Sequence, residues 1–146
     1  REEDRMSRPH YENRKSLQKE HALAEFLEKR WQCQLKKLPI KYMLDYAVWK
    51  DRQISAWVEL KCRTITFEQY DEYMIYLAKV MAAKDLSRNT ELKSFLVVQW
   101  SNKKAFIQLD NAPYELRMGG RKDRNDHDDI EPCCYFKLKE FTVLEG

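Results

Sequence analysis

A chain of 146 residues with 27 Lys and Arg against 24 Asp and Glu carries a formal charge of +3. That length suits one domain able to bury about two-thirds of the surface its unfolded form exposes, so neither zinc nor disulfides are required to complete a core. The charge excess is too small to mark a nucleic-acid binder by itself, and Cys33, Cys62, Cys133 and Cys134 lack the CxxC and histidine spacing of a zinc site.

The first 15 residues, mostly charged with one proline, read as a flexible N-terminal arm, and residues 16–146 as a single domain. A helix is predicted from about Ser16 to Gln32, with Leu23, Ala24, Leu27, Trp31 and also Glu20 facing inward, and Glu25, Glu28, Lys29 and Gln32 on the polar side. After Pro39, IKYMLDYAVW reads as a strand, KDRQ as a turn and ISAWVELKC as a second strand. On that second strand Ile54, Ala56, Val58 and Leu60 share one face, and Ser55, Trp57, Glu59 and Lys61 the other. A three-residue connection from Asp51 to Gln53 sets Asp45 directly opposite Glu59, whereas a two-residue turn shifts the pairing by one and separates them.

Thr66-Phe67-Glu68-Gln69 has the form of a capping box and predicts a helix from there to about Lys84, its apolar face made of Tyr70, Tyr73, Met74, Leu77 and Met81. SFLVVQW then reads as a buried strand, KKAFIQL as its partner, residues 119–131 as a mobile charged loop, and CYFKLKEFTVL as a last strand. Trp49, Trp57 and Trp100 are expected in the core. Lys103 and Lys104, at a hairpin tip, are candidate DNA contacts; Arg121, Lys122 and Arg124 are largely cancelled by Asp123, Asp126, Asp128 and Asp129, and His127 among those acids is expected in solvent.

Asp45, Glu59 and Lys61 on one face bring two carboxylates and an ammonium to the rim of a core. Two carboxylates repel, so the arrangement asks for a divalent cation, and hard oxygen donors favour Mg²⁺ or Mn²⁺. Lys61 can then hold a water or offset charge on a phosphate.

Asp45, the turn, and Glu59-Leu60-Lys61, with a helix before and after, resemble the PD-(D/E)XK nuclease superfamily, with Leu44 where the naming proline would stand. The resemblance implies an α/β restriction-endonuclease-like fold, a mixed central β-sheet flanked by helices around an α-β-β-α-β core. It implies that Asp45, Glu59 and the Leu60 carbonyl bind the metal, that Lys61 assists the attacking water, and that Glu20 is the matching first-helix glutamate. Some recombination-type members carry a glutamine and a tyrosine four apart on the second helix, a spacing that Gln69 and Tyr73 share; both also suit cap and core. The expectation is a Mg²⁺- or Mn²⁺-dependent DNA endonuclease leaving a 5′ phosphate, structure-specific or junction-resolving among its forms. The alternative is an inactive nuclease fold that binds nucleic acid or protein.

A homodimer would suit cutting of both strands, because a two-fold enzyme matches a two-fold substrate. No apolar stretch approaches the roughly 18 residues of a membrane span, and REEDRMSRPH lacks a signal peptide's apolar centre. A soluble, cytoplasmic protein with reduced thiols and no membrane partner is expected. The missing initial methionine is read as a removed tag or leader.

Overall fold

In the computed structural model, which describes residues 13–120 and 130–146, the first helix, α1 (Asn13–Trp31), docks on a strand face through Leu23, Ala24 and Leu27. These fall within one turn of each other, so a single stripe is removed from water. The helix starts before the expected Ser16, and the rest of the expected arm lies outside the described residues. Gln32 takes a left-handed φ of 52° and reverses the chain into β1 (Gln34–Lys37), a strand the sequence reading passed over.

β1 pairs antiparallel with β2 (Tyr46–Lys50). Ile40–Tyr42, expected as the start of that strand, instead forms a 3₁₀ turn after Pro39. Met43, at φ 64°, closes the turn with its amide on the Ile40 carbonyl. β3 (Gln53–Cys62) follows a two-residue turn at Asp51 and Arg52, both left-handed, the conformation that matches strand twist in tight hairpins. A bulge then moves the register back: Trp49 pairs with Ile54 but Val48 with Ala56, leaving Ser55 as the extra residue. Tyr46 faces Val58, so the next position along sets Asp45 opposite Glu59, as expected, though by a shorter turn and a bulge together.

The second expected helix does not begin at Thr66. Phe67–Gln69 is only a 3₁₀ turn, and Thr66 makes no side-chain capping bond. The chain then enters β4 (Glu72–Tyr76), and helix α2 covers Leu77–Thr90. The capping pattern was outweighed because Tyr73 and Ile75 alternate inward, aromatic and β-branched residues suit strands, and a partner strand is present. Met81, expected on the apolar face, is 58% exposed, while Val80 and Ala83 are buried.

From α2 the chain returns as β5 (Lys93–Gln99), parallel to β3, and then β6 (Lys104–Gln108). β7 (Glu115–Gly120) and β8 (Ile130–Lys137) pair with β4, and β9 (Thr142–Glu145) joins β6. The single last strand expected from CYFKLKEFTVL is therefore two, in different sheets, split by a 3₁₀ turn at Leu138–Glu140. Arg121, Lys122, Arg124, His127 and the neighbouring aspartates lie outside the described residues.

The result is a mixed six-stranded sheet, ordered β1-β2-β3-β5-β6-β9, and a three-stranded sheet, β4-β8-β7. α1 covers Tyr46, Val48, Ala56, Val58, Leu60 and Val97 on one face of the large sheet. α2 and the small sheet cover Trp57, Leu96, Val98 and Trp100 on the other. Burial on both faces explains why β3 reads as an almost continuous apolar run. Glu59 interrupts that run.

Candidate active site

Glu59 points toward the α2 side of the sheet with Trp57 before it and Lys61 after it, and is 1% exposed. Its Oε2 lies 3.5 Å from Lys61 Nζ and 3.3 Å from Lys79 Nζ, the latter reaching over from α2. Its Oε1 is buried with no hydrogen-bond partner. An unsatisfied buried carboxylate oxygen is costly, and costlier when charged. Burial first, and then the charge of Asp45, push the Glu59 carboxyl up to about 7 against the pull of Lys61 and Lys79.

Asp45 sits just ahead of β2, where the backbone ladder with β3 stops. Its Oδ2 accepts the Leu60 amide at 2.8 Å, replacing the missing strand partner, and its own carbonyl accepts the Leu38 amide at 2.8 Å. A residue's N–H and C=O leave a strand on the same edge, so the Leu60 carbonyl points to the side on which Asp45 lies. Asp45 Oδ1 is 3.7 Å from Lys37 Nζ.

Glu20, on α1, accepts from Tyr46 Oη at 2.8 Å and Lys37 Nζ at 2.9 Å through Oε2. Glu20 and Asp45 therefore share Lys37. The Tyr46 hydroxyl is raised by burial and by its bond to Glu20. Lys61, its side chain 44% exposed, is pulled down by burial but held above its ordinary value by Glu59, Tyr73 and Asp45, so it carries its proton at neutral pH. Lys79 also donates to the Met43 carbonyl, tying α2 to the turn before Asp45.

The structure thus gathers Asp45, Glu59, Leu60 and Lys61, with Glu20 joined at one edge. Sequence reasoning missed Lys37, Lys79 and Tyr46. Lys37 lies on the unrecognised β1, and the displaced helix start hid Lys79; only its place four residues before buried Ala83, on the same helix face, pointed inward. Gln69 and Tyr73 do not share a helix: Gln69 ends the 3₁₀ turn, and Tyr73 is buried on β4 against Trp100 and Phe141. Lys103 pairs with Glu68 at 3.0 Å and covers the Phe67 ring; Lys104 pairs with Glu145 and covers Phe26.

Among the described residues no group of three or more His, Cys, Asp and Glu side chains stands ready to hold a metal. The donors that fit one are fewer: the orphaned Glu59 Oε1, Asp45, and the Leu60 carbonyl. All are hard oxygens, the set that Mg²⁺ and Mn²⁺ accept, with water able to fill the remaining positions.

The comparisons agree with this architecture. The structure of Hjc, a Holliday junction resolvase from the archaeal hyperthermophile Archaeoglobus fulgidus, matches with a TM-score of 0.53 at 11% identity, covering 83% of this chain and 85% of that one. That likeness shows the restriction-endonuclease-like fold. No curated protein matches the chain. The family model described as "Phage putative PDDEXK endonuclease" matches residues 6–144. With nearly the whole chain matched and the fold in agreement, the protein belongs to this phage PD-(D/E)XK endonuclease family and is a nuclease.

Proposed function

We propose that the chain hydrolyses DNA phosphodiester bonds with Mg²⁺ or Mn²⁺ at the face formed by Asp45, Glu59, Leu60 and Lys61. The observation that carries this reading is Glu59: a fully buried carboxylate with one oxygen unpartnered, between two lysines and opposite an aspartate. Such a group costs stability in a merely structural role, and a cation ligand role accounts for it.

Asp45, Glu59 and the Leu60 carbonyl would hold the cation. When bound, it offsets charge building on the phosphate and makes a water easier to deprotonate. The Leu60 amide fixes Asp45 in one orientation, and Lys79 does the same for Glu59 while tying α2 to the site. Lys61, protonated and partly exposed, donates to the attacking water or to a non-bridging phosphate oxygen. Lys37 keeps Glu20 and Asp45 together, which lets Glu20 orient a water at the edge of the site.

The test is cleavage of labelled duplex, single-stranded, flap and four-way-junction DNA in Mg²⁺, Mn²⁺ or EDTA, by the parent and by Glu59→Ala. The junction is included because the resolvase of like fold is named for that substrate. Products that need the metal and vanish in Glu59→Ala are expected. Products made equally by the variant would remove Glu59 from the reaction.

A further inference from the structure

Glu59 and Lys61 share a strand face, and the next residue on that face is Arg63. The Arg63 amide still bonds the Gln99 carbonyl at 2.7 Å, so the strand direction continues through it. Two residues of strand advance about 6–7 Å, close to one nucleotide of backbone. The guanidinium lies 5.5 Å from the centre of the Tyr73 ring and forms no ion pair among the described residues.

Beyond Arg63 opens a cleft of about 560 Å³ between the 64–71 connection, β4 and β8. Sites for small organic groups span about 300–1,000 Å³. Its inner wall is aromatic and rigid: Trp100 and Tyr73 are buried, meeting edge to face at 6.0 Å, and Phe67 stands edge-on to Trp100 at 4.8 Å. Tyr70 differs. It is 60% exposed on the rim and has no ring or cationic partner among the described residues. Asp71 offers an acceptor in the same cleft, while Glu72 is bound to Arg117 at 2.6 Å.

An exposed tyrosine, an aromatic wall and an unpaired guanidinium suit a nucleobase with its phosphate, since bases stack on aromatic rings whatever their identity. A base locked in an intact duplex cannot turn into a cleft one strand step from Lys61. We propose that this cleft receives an unpaired base next to the scissile bond, stacked on Tyr70 with its phosphate on Arg63, so that DNA with unpaired nucleotides at the cut is preferred over intact duplex. The inference rests on the nuclease site proposed above and names its substrate class.

The experiment uses the full chain and a flap DNA with 2-aminopurine as its first unpaired base. Fluorescence is read in EDTA, and the cleavage ratio of flap over intact duplex is read in Mn²⁺. The parent and Tyr70→Phe should quench the probe on binding. Tyr70→Ala and Arg63→Ala, both at exposed positions, should lose the quench and lower the ratio by about tenfold. Equal quenching and equal ratios in the parent and Tyr70→Ala would overturn the cleft and leave the nuclease site standing. Tyr70-dependent quenching by a parent that cuts no DNA would support the cleft and contradict the site it was tied to.

Discussion

Glu59 sets the local energetics of the site. In the folded, metal-free protein its carboxyl rises from an ordinary 4.5 to about 7. Below the lower value it is protonated whether folded or not and contributes nothing. As pH rises through this interval the unfolded chain gives up its proton first, so folding loses stability, and above about 7 the loss is complete. At 1.36 kcal/mol per unit the loss is about 3 kcal/mol. Glu59→Gln should therefore remove a fall in metal-free stability between pH 5 and pH 8, seen as a gap between the two melting curves that widens with pH. A constant gap would contradict a buried, titrating Glu59. Adding Mn²⁺ should raise the parent's Tm at pH 8 and leave that of Glu59→Gln nearly unmoved. Asp45, Glu59 and Lys61 were legible because an acid and an ExK triplet on facing strands leave a period-2 signature. Lys37 and Lys79 were not, because their relevance comes only from elements far along the chain meeting Glu20, Asp45 and Glu59.

The elements that place these residues differ in how far local sequence determines them. α1 and the β2-β3 hairpin follow from their own apolar periods, and Leu27, fully buried between helix and sheet, should cost about 2–5 kcal/mol when cut to alanine, measured by urea unfolding. The turn is less comfortable, since Asp51 and Arg52 both hold positive φ without being glycine. Arg52→Gly should stabilise by about 1 kcal/mol, read as a higher urea midpoint; a lower midpoint would mean the arginine side chain supplies more than its backbone costs. The bulge at Ser55 leaves no mark in the composition, yet without it a two-residue turn would put Asp45 and Glu59 out of register. The segment from Thr66 to Met81 carries two competing patterns, helical spacing through Tyr70, Tyr73, Met74 and Leu77, and strand alternation through Tyr73 and Ile75. β8, some sixty positions further on, decides between them by pairing with β4. Local reading had no access to that partner.

Across the whole molecule, the large sheet holds Glu59, Leu60 and Lys61 on β3 beside the point where β2 begins, with Asp45 just ahead of it. The small sheet and α2 wall in the face of β3 that carries Glu59, and α1 covers the other face. The fold class was legible because the order helix, hairpin, helix, strand survives the insertion of β1 and β4; the second sheet was not, because β4 lies in a segment with helical spacing and pairs with β8 some sixty positions away. A protein that meets a phosphate backbone with lysines should bind DNA less tightly as salt rises, and a binding constant measured in EDTA that ignores salt would speak against a phosphate-facing surface. Lys61 is the partly exposed ammonium beside a carboxylate whose second oxygen has no hydrogen-bond partner. The decisive measurement is single-turnover cleavage of DNA by Lys61→Ala at saturating Mn²⁺, with metal binding followed separately by calorimetry. A fall in rate of about a hundredfold or more with Mn²⁺ still bound is the predicted result. Cleavage as fast as the parent's would contradict it.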